Sequence, residues 1–200
     1  MFKSIFHKLR RKADRFHGDD EASLTIEAVI MLPLLLWAFL ATFTYFDVYR
    51  AKNLALKANY AVSDLLSREI NPINMNYIHG LEDVFAYLTR GGDPAWLRVT
   101  VVRCHDKCDL PNDRDLRRDW SKATDGMPTH SNTTIRKVYR KVLPMLSKGE
   151  RVIMVETMAG YEPPFPPGMT GVRSRQMRDI VMTRPRFAPQ LCWEGQGCAN

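Results

Sequence analysis

The chain has 200 residues, with 29 Lys and Arg against 22 Asp and Glu, and four cysteines. Its formal net charge of +7 is unevenly spread: residues 1–17 hold Lys3, Lys8, Arg10, Arg11, Lys12 and Arg15 against Asp14 alone. A basic excess confined to one end argues against nucleic-acid binding and for anionic lipid beside a cytoplasmic N-terminus.

Within this tail, residues 1–21, the apolar positions Phe2, Ile5, Phe6, Leu9, Ala13 and Phe16 recur at helical spacing with basic residues between them. That is the pattern of an amphipathic helix on a leaflet surface, or of a disordered basic leader.

Residues 22–46, ASLTIEAVIMLPLLLWAFLATFTYF, read as a transmembrane helix. Ala28 to Phe46 carries no charge, and as a helix it reaches roughly 28 Å against a hydrocarbon core of about 30 Å. Leu34-Leu35-Leu36-Trp37 leaves no polar face for water. The run is longer than the apolar core of a secretory signal and no small-x-small site closes it, so a retained single-pass anchor is expected. Two features stand out at its start. Glu27 places a carboxylate at the border of the uncharged run, and Pro33 deprives the Val29 carbonyl of its helical donor.

Helical pattern continues through DVYRAKNLALKANYAVSDLLSREI, which contains no Gly or Pro and stops at Asn71-Pro72. Ala51, Leu54, Ala55, Ala58, Ala61, Val62 and Leu65 form a small-residue stripe. One helix from about Ser23 to about Glu69 is predicted, with residues 47–70 as a spine for the outer domain. GLEDVFAYLTR, closed by Gly91-Gly92-Asp93-Pro94, suggests a short helix. WLRVTVVRC reads as a strand, and a charged stretch after it holds one weak strand near Trp120. NTTIRKVYRKVLPML suggests a helix with Ser131 or Asn132 as its cap. ERVIMVETMAGYEPPF and SRQMRDIVMTRPRF read as two further strands, joined by the Pro-rich turn EPPFPPGMTG. Residues 47–200 are thus expected to form an extracytoplasmic α+β domain. A small antiparallel sheet of three or four strands would pack on the helical spine.

The cysteines fall into local pairs, Cys104/Cys108 and Cys192/Cys198. In an oxidising compartment these are expected to be disulfides, paired locally although three connectivities are open. CHDKC has the wrong spacing for thioredoxin-like chemistry. A zinc site would need a distant fourth ligand, so no metal is expected. His79, His105 and His130 stand isolated in polar contexts and are expected at the surface; no nucleophile, base and orienting acid can be assembled by spacing, and no enzymatic activity or cofactor is expected. Arg173, Arg175, Arg178, Arg184 and Arg186 read as a solvated strand face.

ASLTIE, in which the small residue Ala22 precedes Ser23 and Glu27 stands fifth counting from Ser23, resembles the processing site of type IV prepilin-like proteins. The cut would fall between Ala22 and Ser23, making Glu27 the fifth mature residue; Ala22 stands where the usual residue is Gly. IEAVIMLPLLLWAF, together with VIMVETMAGYEPPF and RDIVMTRPRFAPQ, is similar to the TadE-like family of Tad pilus assembly proteins. The resemblance implies a minor pseudopilin of the bacterial inner membrane with its C-terminal domain in the periplasm. It would take part in assembling an adhesive pilus with other pilin or pseudopilin subunits, the inner-membrane machinery and a prepilin peptidase. It also implies that Glu27 meets the α-amine of a neighbouring subunit. The alternative is an unprocessed bitopic envelope protein whose periplasmic binding domain has no pilus role.

Overall fold

The computed structural model describes residues 20–90, 95–196 and 198, with side chains from residue 25 onward. The expectations for the basic tail before residue 20 and for the Gly91–Pro94 turn lie outside these residues. The chain divides into two compact units: the part up to Asp47 with Pro163–Arg173, and Val48–Glu162 with Ser174–Asn200.

A single α-helix, α1, spans Asp20–Arg68 and runs through Pro33. It stops two residues after the fully buried Leu66, and Pro72 further on disfavours helical backbone at Asn71. Up to Asp47 this is a helix long and apolar enough to cross a membrane, and its most apolar window has no buried residue. Leu35 is 66% exposed and Phe39 67%; a core helix of a soluble domain would bury such side chains. In the same unit Pro163–Arg173 lies alongside the helix. Trp37 Nε1 donates to the Met169 carbonyl at 2.8 Å, and Phe43 meets Phe165 edge-on with ring centroids 6.0 Å apart. One helical turn, Pro167–Thr170, starts on a proline and closes at Gly171, whose φ of 75° suits glycine.

The second unit is an α+β domain in which the rest of α1 packs on a four-stranded antiparallel sheet. Its strands are β1 (Ala95–Asp106), β2 (Asp115–Ala123), β3 (Arg151–Tyr161) and β4 (Arg175–Thr183), in the order β2-β1-β3-β4. A second helix, α2 (Met75–Leu88), begins at Asn74, whose side chain accepts the Tyr77 N–H. Alternation along β1 and β3 sends Leu97, Val99, Val101, Ile153 and Val155 to one face, where Ala55, Ala58, Val62 and Leu66 of α1 and Ile78 and Phe85 of α2 meet them. Each fully buried aliphatic side chain stabilises this layer by about 1.5–3 kcal/mol, and the alanines let the helix approach closely.

The buried stripe of α1 differs in phase from the one predicted. Ala61 is exposed and Leu65 is 45% exposed, whereas Asn59, Ser63, Leu66 and Ser67 are buried. A helix period of 3.6 carries the contact face from Ala55 through Asn59, Val62 and Leu66, so polar residues fall under the sheet. They are paired there: Asn59 Nδ2 donates to the Val155 carbonyl at 3.5 Å, and the Ser63 hydroxyl donates to Asn59 Oδ1 at 3.3 Å.

The opposite face of the sheet is also covered. Val102, Cys104, Leu116, Val152 and Met154 pack with Ile135, Leu143 and Leu146. The helix predicted from NTTIRKVYRKVLPML is reduced to a turn, Asn132–Thr134, and a π turn, Ile135–Tyr139. Ser131 caps it, accepting the Thr134 N–H at 3.1 Å. Pro144 ends any continuation, and the buried Arg114 guanidinium donates to the carbonyls of Leu143 and Pro144 at 2.6 Å each, and to that of Arg140. A cation thereby satisfies the carbonyls that a helix end leaves free.

Both sheet edges have backbone groups taken by side chains. On β2 the Arg118 N–H donates to Asn132 Oδ1 at 2.7 Å; on β4 the Arg178 carbonyl accepts from Lys52 Nζ at 3.1 Å. The C-terminal segment is strapped to the same unit. Ile73 N–H donates to the Cys192 carbonyl at 3.0 Å, Glu194 N–H to the Ile73 carbonyl at 2.9 Å, and Trp120 Nε1 to the Leu191 carbonyl at 2.9 Å.

Candidate functional site

Ala22 and Ser23, the predicted processing pair, lie within the first turn of α1, where only the backbone is described. Glu27 follows one turn later with its side chain exposed, and Ile30, Met31 and Leu34, on its face by helical spacing, are exposed too. The face carrying the carboxylate is therefore apolar and uncovered. Ser23 N and Glu27 are separated by roughly 6 Å of helix rise. An amine liberated at Ser23 would reach the Glu27 level of a parallel neighbour displaced by about one turn. Pro33 lies within the helix, six residues after Glu27, and leaves the Val29 carbonyl without an N–H donor from the chain position that normally supplies it.

Cys104 is joined to Cys108 with Cα atoms 5.9 Å apart, and Cys192 to Cys198 with Cα atoms 4.9 Å apart. The first closes the turn after β1, where both cysteines are buried; the second closes the loop beside Trp193, whose ring centroid lies 5.3 Å from that of Trp120. Among the described residues no three His, Cys, Asp or Glu side chains are grouped to hold a metal ion.

The sheet face away from α1 holds a buried charge cluster. Arg98 on β1 and Glu156 on β3 are register partners, with Arg98 Nε 2.6 Å from Glu156 Oε2. His130 Nε2 lies 2.5 Å from the same oxygen, and the Tyr139 hydroxyl donates to Oε1 at 2.7 Å. A carboxylate only accepts, so the His130 proton sits on Nε2. Burial alone pushes the Glu156 carboxyl up, but hydrogen bonds from His130, Arg98 and Tyr139 outweigh it and hold the group at about 2. Burial, and then the bond to Glu156, pushes Tyr139 up to about 12. Arg98 is completed by the Pro128 carbonyl at 2.8 Å and stacks over Trp96 at 5.3 Å.

This cluster corrects the expectation that His130 is a surface residue: it is buried, because its chemical partner, Glu156, lies on β3. His105 is exposed, and His79, half exposed, lies 3.3 Å from Glu82. The five arginines from Arg173 to Arg186 are exposed. One signal for the cluster was present in the sequence. WLRVTVV and VIMVETM each carry a lone charge of opposite sign inside an apolar strand, which is tolerable only if the two meet. With both carboxylate oxygens of Glu156 engaged by Arg98, His130 and Tyr139, the arrangement ties the second layer to the sheet. An open cleft of about 520 Å³ is lined by Asn112, Thr133, Arg136, Lys137, Arg140 and Lys141, whose charged side chains are all basic.

No protein-family model, no curated protein and no solved structure matches this chain.

Proposed function

We propose that the protein is a TadE-like minor pseudopilin: a non-enzymatic, single-pass protein of the bacterial inner membrane that takes part in assembling a Tad-type adhesive pilus. Its N-terminus would be cytoplasmic and its disulfide-bonded α+β domain periplasmic. The observation that carries the reading is residues 25–46 of α1, an apolar stretch with its most hydrophobic window unburied and with Glu27 as its one carboxylate, exposed. A carboxylate beside hydrocarbon gains from a partner: an acid at the centre of a membrane helix costs about 2.5–3.5 kcal/mol, and one at the border, as here, costs less. Like helices from pilin or pseudopilin subunits supply both an apolar surface and, after cleavage before Ser23, a protonated α-amine for Glu27. The function is then association, with lipid, with other subunits and with the inner-membrane machinery.

N-terminal sequencing of the protein isolated from its host membrane tests this. A mature chain beginning at Ser23 supports processing by a prepilin peptidase. A chain retaining residues 1–22 overturns it and favours a second reading, for which Ala22 in place of the usual Gly is the specific observation. In that reading the protein is an unprocessed bitopic envelope protein whose outer domain binds a periplasmic partner.

A further inference from the structure

We propose that Pro163–Val172 is a second membrane-contacting element, a neutral proline-rich loop that lies within the outer half of the bilayer against α1. The proposal rests on the reading of α1 as a membrane helix and adds a structure that the reading does not contain.

The placement follows from two contacts. Trp37 stands nine residues before Phe46, the end of the uncharged run, or roughly 14 Å along the helix. Half of a hydrocarbon core is about 15 Å. The Met169 carbonyl is hydrogen-bonded to the Trp37 indole, and Phe165 packs on Phe43, so the loop occupies the same levels as the outer half of the span. Moving the membrane surface down to Trp37 would keep the loop in water. It would leave only Ala28–Leu36 uncharged, roughly 14 Å of helix, which is too short to span. Either α1 does not cross the bilayer or the loop enters it.

The composition of the loop reduces the demands of that setting. Residues 163–172 contain no charged side chain, and charges resume at once on either side with Glu162 and Arg173. Irregular backbone at membrane depth must have its polar groups satisfied within the protein. Pro163, Pro164, Pro166 and Pro167 have no N–H to satisfy. Met169 N–H donates to the Pro166 carbonyl at 3.0 Å, Gly171 N–H to the Pro167 carbonyl at 2.8 Å, and Val172 N–H to the Thr170 hydroxyl at 3.5 Å. The one hydroxyl, Thr170, is buried, whereas the apolar Met169 is 46% exposed. Polar groups turn inward and the thioether turns outward, the reverse of a water-exposed turn.

The test uses the full chain, native disulfides intact, in vesicles of phosphatidylethanolamine and phosphatidylglycerol. Three variants, Met169→Cys, Leu35→Cys and Lys148→Cys, each add one thiol for a charged maleimide. The expected result is that Leu35→Cys and Met169→Cys label at least about tenfold more slowly than Lys148→Cys, because an apolar setting suppresses the reactive thiolate. A bimane attached at position 169 should also be quenched by nitroxide-bearing lipid. Slow labelling at 35 with labelling at 169 as fast as at 148 overturns the loop while leaving the membrane helix intact. Fast labelling at 35 overturns the membrane reading and the loop with it. Slow labelling at 169 without quenching by lipid shows that a second copy covers the loop, and this too overturns the proposal.

Discussion

Glu156→Gln preserves the shape of a buried side chain and removes the charge that Arg98 and His130 face. Arg98 is then left with the Pro128 carbonyl and no anion, in a site where both partners are almost fully buried. Breaking such a pair from one side costs about 3–5 kcal/mol. The depressed pKa of the carboxyl gives a second figure. A carboxyl held at about 2 in the fold, against an ordinary value of 4.5, contributes about 3 kcal/mol of stability. Because the folded pKa is the lower one, that contribution is complete above about pH 4.5 and is lost as pH falls toward 2. Urea unfolding of the full-length protein in micelles, followed by tryptophan fluorescence at pH 7, 5 and 3, reads both quantities. The variant should start lower at pH 7 and lack this part of the acid-induced loss. A Glu156→Gln protein within about 0.5 kcal/mol of wild type at pH 7, the range of ordinary surface substitutions, with the same acid slope, would refute the energetic account of the cluster.

Ala58→Asp puts a carboxylate into the layer between α1 and the sheet, where Ala58 is 2% exposed; the outer domain should lose its near-ultraviolet circular dichroism, and an unchanged thermal midpoint would show that this face is not packed. Replacing Cys104 and Cys108 by serine removes a short loop closure that the chain-entropy model values at about 2 kcal/mol, a loss read by urea unfolding; in the wild-type protein a non-reducing peptide map checks the pairing, and a Cys104–Cys192 link would contradict it. Glu27→Gln should leave membrane levels and the outer domain unchanged and abolish pili, as counted by electron microscopy; wild-type pilus numbers would reduce Glu27 to an interfacial acid that snorkels to the head groups.

How far the sequence discloses this molecule depends on whether a feature is local. The long helix is readable because no residue between Pro33 and Pro72 interrupts its pattern, and β1 and β3 announce themselves by β-branched runs. Glu27 and Pro33 are readable as a local pattern, but the neighbour that would complete the site belongs to no part of the described chain. The phase of the spine is misread because Asn59 and Ser63 look like solvent-facing residues until the Val155 carbonyl is seen above them. His130 is misread for the same reason, its acceptor lying 26 residues away on β3. β2 is faint because its charges conceal the buried Leu116 and Trp120. Nothing in EPPFPPGMTG announces a bond to an indole 132 residues earlier.

The two occupied sheet edges bear on how copies of this protein can meet. An open edge strand is a template for another strand, and one that stays unpaired invites uncontrolled polymerisation. Here Asn132 has claimed an amide on β2, Lys52 has claimed a carbonyl on β4, and Arg117 and Arg178 stand exposed beside them. A newcomer strand would have to displace the side-chain partner at either edge and pass an exposed arginine. Growth by extending the sheet is therefore disfavoured at both of its edges.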